Sequence, residues 1–88
     1  MKTLVFNVVG KVQGVFFRKS SQERAKEIGI HGWIKNEENG SVSGIAQGSD
    51  IQLAEWKEWL QSGPTKSRVD RIKYEETQGP VLDSFEIR

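Results

Sequence analysis

Residues 29–47, GIHGWIKNEENGSVSGIAQ, decide how this chain folds. Ile30–Asn36 is rich in apolar and aromatic residues and reads as a strand. Asn39-Gly40 is a strong two-residue turn signal, and a second strand follows from Ser41 to about Gln47. A hairpin therefore stands in the middle of the sequence, and the flanking segments must pack around it. Working back from it, Gly29 closes a helix in which Phe17, Ser21, Ala25 and Ile28 recur at helical spacing. Before that helix, the run TLVFNVV at 3–9 is β-branched and apolar, a first strand that Gly10 and Gly14 then interrupt. On the other side, Ser49 and Gln52 fit a capping box that opens a second helix. Leu53, Trp56 and Leu60 line one face of it, and Gly63-Pro64 ends it. Residues 67–75 make a fourth strand with Val69 and Ile72 facing inward. Past Gly79-Pro80, a short last strand lies near Phe85 and Ile87.

The order β-α-β-β-α-β plus a short C-terminal strand is that of the ferredoxin-like sandwich, an α+β fold. The expectation is an antiparallel sheet with two helices on one face. Eighty-eight residues support one core, so residues 1–88 are read as a single domain. Many unrelated functions share this architecture, so function must come from particular residues.

Several chemistries are excluded by what is missing. The chain has no cysteine, which removes disulfides, thiolate zinc sites and cysteine nucleophiles. His31 is the only histidine, so no histidine metal cluster exists, and beside a Gly-Trp corner it reads as a surface residue rather than a base. Glu37-Glu38 and Glu75-Glu76 are adjacent pairs whose members point to opposite faces of a strand, so neither makes a carboxylate dyad. Trp33, Trp56 and Trp59 read as core or rim. The apolar stretch Leu4–Val9, broken by Asn7, is too short for a signal peptide or a membrane span, and the expectation is a soluble cytoplasmic protein without membrane contact.

The net charge of +1 hides an asymmetry: residues 1–26 carry +5 and the remainder −4. A small anion should be sought at the positive end, although a solvated basic face would give the same numbers. The loop Gly10-Lys11-Val12-Gln13-Gly14 lies there. It is not a nucleotide-binding P-loop, because Val15-Phe16-Phe17 stand where Lys-Ser/Thr would be needed. It also lacks the third glycine of a dinucleotide fingerprint. A strand–loop–helix unit still aims several N–H groups at the helix start, where the helix dipole adds positive charge. No Ser, Thr, Asp or Asn occupies 14–18 to cap those donors, so an anion could do so. Ser20 or Ser21 would cap a helix that began later. Arg18 adds a planar charged fork suited to phosphate oxygens, or is simply a surface arginine.

The run GKVQGVFFR, Gly10–Arg18, resembles the first signature of the acylphosphatase family, a glycine-bounded loop ending in Val-x-Phe-Arg. GIHGWIKNEENGSV, Gly29–Val42, is similar to that family's second signature, and GSVSGIAQG, WLQSGP and the final FEIR extend the likeness over nearly the whole chain. Ile34-Lys35, Thr65 and the lack of an aromatic residue after Arg88 depart from the usual pattern without touching Arg18 or Asn36.

The resemblance implies an enzyme that hydrolyses the carboxyl–phosphate bond of acyl phosphates to a carboxylate and inorganic phosphate. It implies that Arg18 binds the phosphate, that Asn36 positions the attacking water, and that the N–H groups of Gln13, Gly14, Val15, Phe16, Phe17 and Arg18 form the cradle. No metal and no cofactor are expected, inorganic phosphate or sulfate should compete with substrate, and nothing demands more than a monomer. Taken alone, Asn36 could equally serve the turn into Asn39-Gly40. Two other readings remain: a non-catalytic small-anion module, and an RNA-binding module of the same fold. The second is disfavoured because the strand at 41–47 carries no stacking aromatic and the first strand only Phe6.

Overall fold

The computed structural model describes residues 1–88. The elements are β1 (Lys2–Lys11), α1 (Phe17–Ile28), β2 (His31–Asn36), β3 (Val42–Gly48), α2 (Asp50–Ser62), β4 (Arg68–Thr77) and β5 (Phe85–Ile87). They form one five-stranded sheet in the order β4-β1-β3-β2-β5. Alternation along β1 sends Leu4, Phe6 and Val8 into the core. Ile34, Val42, Ala46 and Phe85 join them from the other strands.

The helices supply the other half of that core. Phe17 and Ala25 of α1 and Leu53, Trp56 and Leu60 of α2 are buried against the strands' apolar face. Trp56 is the centre, edge-on to Phe6 at 5.7 Å and 5.3 Å from Phe85. Ser21 faces α2 instead of a core residue, and its hydroxyl accepts from Trp59 Nε1 at 2.9 Å. The α2 capping box is complete, with Ser49 Oγ accepting from the Gln52 N–H and Gln52 Oε1 from the Ser49 N–H. No helix is long and apolar enough to cross a membrane.

The sheet is mixed rather than antiparallel, which corrects the expectation: β5 pairs parallel with β2, Gly32 opposite Phe85 and Ile34 opposite Ile87. The reason lies in the segment 78–84. β4 is antiparallel to β1 and ends beside Thr3, at the edge where β2 begins. The chain crosses under that edge, held by Gln47, which donates to Pro80 O at 2.7 Å and accepts from Leu82 N at 2.8 Å. His31 Nδ1 lies 2.8 Å from Leu82 O. A strand entering from this edge can only run the way β2 runs.

Val69 and Ile72 both pack against the core although they stand three apart. In a regular strand that spacing would place them on opposite faces. A bulge resolves the conflict: Val9 pairs with Arg71 and Gly10 with Val69, so Asp70 is an extra residue that resets the alternation. Tyr74 then continues the inward set.

Candidate active site

β1 and β2 point the same way on either side of β3. Their C-terminal ends and the start of α1 therefore meet at one end of the molecule, opposite His31 and the 78–84 segment. Between β1 and α1, Val12 and Val15 are buried and anchor the loop to the core, while Gly14 and Phe16 between and beyond them are exposed. Gly14 has φ 73°, and Phe16, the residue preceding α1, has φ 62° and ψ 22°. Phe16 is the only non-glycine residue with positive φ. This left-handed geometry costs an L-residue about 1–2 kcal/mol, and it turns successive N–H groups the same way.

Those groups have no partners in the fold. The first N–H after the loop to find one is that of Ser20, which donates to Phe16 O at 2.9 Å. The N–H groups of Gln13 through Lys19 donate to no protein atom. No side chain caps α1 and no acid stands in its first turn. Neither serine fills the capping role: α1 already begins at Phe17, and Ser21 is engaged with Trp59. A row of unpartnered donors at a helix start is an anion-binding arrangement.

Arg18 is half-buried on the first turn of α1. Its one hydrogen bond within the protein is long, from Nη1 to the main-chain oxygen of Arg88 at 3.4 Å, and it forms no ion pair. Asn36 closes β2. Its side chain makes no hydrogen bond, because the turn beyond it is served by Asn39, whose Oδ1 accepts from Ser41 N at 3.0 Å and Ser41 Oγ at 2.7 Å. Arg18 and Asn36 line one shallow concavity of about 280 Å³ with Val12, Gly14, Phe16, Phe17, Lys19 and Ile87.

One contact fixes the loop relative to β2. Gln13 Nε2 donates to Glu37 O at 2.7 Å and to Ser41 O at 2.9 Å, bracing the loop on the residue after Asn36. The family resemblance gives Gln13 a place only through its backbone N–H; no local signal marks a side-chain bond that spans 24 and 28 residues. The Glu37 carboxylate accepts from Ser43 Oγ at 2.6 Å and sits 3.4 Å from Lys35 Nζ. The Ser43 hydrogen bond, aided by Lys35, holds its carboxyl below the ordinary value. It stays charged, but committed to those partners and not to Arg18.

The family model that matches is Acylphosphatase, over residues 4–87. The chain belongs to the acylphosphatase family. It is 44% identical over 86 residues to an acylphosphatase from Aliivibrio fischeri, covering 98% of this chain and 96% of that one. Acylphosphatase-1 of Gallus gallus is 44% identical over 70 residues, 78% of this chain and 71% of the relative. The crystal structure of acylphosphatase from Bacillus subtilis superposes with a TM-score of 0.95 at 31% identity, covering 100% of this chain and 99% of that one. This chain is accordingly an enzyme that hydrolyses acyl phosphates.

Proposed function

We propose that the free N–H groups from Gln13 to Arg18, together with the Arg18 guanidinium, hold the phosphoryl group of the substrate, and that Asn36 orients the water that attacks it. The observation that carries this reading is the shared concavity: an uncapped helix start, an arginine without an Asp or Glu partner and an asparagine amide without a hydrogen bond all open onto it.

An acyl phosphate is a mixed anhydride whose leaving group is a carboxylate, a weak base that departs without an acid's help. The water oxygen bonds to phosphorus, the bond from phosphorus to the bridging oxygen breaks, and its electron pair stays with the carboxylate. The proton from water ends on the released phosphate. From a substrate dianion and neutral water, one carboxylate and one monoanionic phosphate result. Such transfers have loose, in-line transition states, so catalysis consists of holding charge and placing the nucleophile. The N–H row and Arg18 do the first. The Asn36 amide both donates and accepts, which suits it to the second, and it is not basic enough to take the proton. The whole chain works as one unit in this reading, a cytoplasmic enzyme whose partners are small acyl phosphates. Phosphate monoesters, which leave as alkoxides, should be poor substrates.

The test separates the two roles. On folded variants, Arg18→Ala should weaken inhibition by inorganic phosphate, raise KM and lower kcat, since it removes an interaction present in ground and transition states. Asn36→Ala should lower kcat by about 10²–10³ while phosphate still binds. An Asn36→Ala enzyme with native kcat, or one that no longer binds phosphate, refutes the water-positioning role.

A further inference from the structure

Five large apolar side chains are exposed, and two of them, Phe16 at 75% and Ile87 at 40%, line the concavity that holds Arg18 and Asn36. An exposed apolar residue by itself means little. Phe16 differs because its backbone is in the left-handed region, where glycine would sit without strain. The core gains almost nothing from a ring that is three-quarters in water. Ile87 reaches the same place from β5, the strand whose parallel addition to β2 brings it there. The other apolar lining residues, Val12 and Phe17, are buried, so Phe16 and Ile87 are the apolar surface a bound molecule would meet.

The geometry points to Phe16 and Ile87 as the contact surface for the acyl group of the substrate, favouring aromatic or bulky aliphatic acyl phosphates over small ones. This rests on the phosphate site proposed above. The phosphoryl oxygens occupy the N–H row and Arg18, so the acyl substituent, joined through the bridging oxygen, must leave across the rim. There an apolar substituent shields the Phe16 ring and the Ile87 side chain from water, whereas a methyl group covers little of either. The gain is realised on binding and so appears in KM.

The experiment compares kcat/KM for benzoyl phosphate and acetyl phosphate in the wild type, Phe16→Asn and Ile87→Ala. Asn tolerates left-handed geometry, so the first variant removes the ring while leaving the loop its conformation. The benzoyl-to-acetyl ratio should fall about five-fold in Phe16→Asn and about two-fold in Ile87→Ala, carried by KM for benzoyl phosphate. Differences in intrinsic reactivity cancel between variants, and damage to the cradle lowers both substrates together and leaves the ratio alone. A ratio unmoved in both variants overturns the proposal. Should Phe16→Asn fail to fold, Ile87→Ala decides. Failure of the phosphate site itself would show differently, as native rates on both substrates in Arg18→Ala.

Discussion

Arg18 stands on the first turn of α1 with a charge that no Asp or Glu side chain balances. The helix start adds to that charge and does not offset it. If the guanidinium grips two phosphoryl oxygens at once, a lysine cannot replace it, because an ammonium is a point charge. Arg18→Lys should therefore keep the fold yet recover less than a tenth of native kcat/KM; near-native kinetics would argue against a two-pronged contact. At Tyr74 the prediction concerns stability. Its hydroxyl is buried without a partner, and burial raises its pKa above the ordinary 10.0. Tyr74→Phe removes an unsatisfied group and keeps the ring under Lys57 Nζ, 4.9 Å from its centre. Urea unfolding should show no loss, or a gain of up to about 1 kcal/mol. The sign with pH follows from the raised value. The neutral phenol's contribution is fully present below the unfolded pKa and lost as pH climbs through the folded one. The wild type should weaken at alkaline pH more than Tyr74→Phe does.

Between elements, the β1–α1 loop and the β2–β3 turn behave as one piece because Gln13 bonds to both Glu37 O and Ser41 O. The loop carries the N–H row, while the turn follows directly from Asn36, so under the proposed roles this brace would set the distance between the phosphoryl group and the attacking water. Gln13→Ala should lower kcat/KM by about 10- to 100-fold, because displacements on the order of 1 Å are expensive in such sites. Circular dichroism should remain native, since the core residues Val12 and Val15 still anchor the loop. Unchanged kinetics would show that the loop holds its place without the brace.

Across the whole molecule, titratable and metal-ligating groups are dispersed. No three His, Cys, Asp or Glu side chains converge where they could hold a metal ion. His31 lies at the far end of β2 from Asn36, roughly 16 Å away along the strand, occupied with Leu82. Hydrolysis should therefore persist at full rate in excess chelator. Activity lost on chelation and restored by magnesium or zinc would contradict a mechanism built from Arg18, Asn36 and main-chain donors.

Much of this was legible in the sequence because short-range chemistry wrote it. The Asn39-Gly40 turn, the Ser49/Gln52 capping box and the Leu53–Trp56–Leu60 face each depend on residues within a few positions of one another. The start of α1 at Phe17 and its end at Gly29 are of the same kind, as is the lack of any capping side chain at 14–18. Other features depend on partners far away in the chain, and no local pattern encodes them. The bulge at Asp70 reversed the face on which half of β4 points, as pairing with β1 required. The direction of β5 followed from where β4 ended and where Gln47 and His31 held the crossing segment. Whether Asn36 served a turn was answered by Asn39 taking that duty. Arg18 and Asn36, each ambiguous alone, acquired a common setting only when β1 and β2 were aligned in parallel on either side of β3. Local propensities choose the elements; burial of their apolar faces chooses the register and order that bring distant polar groups together.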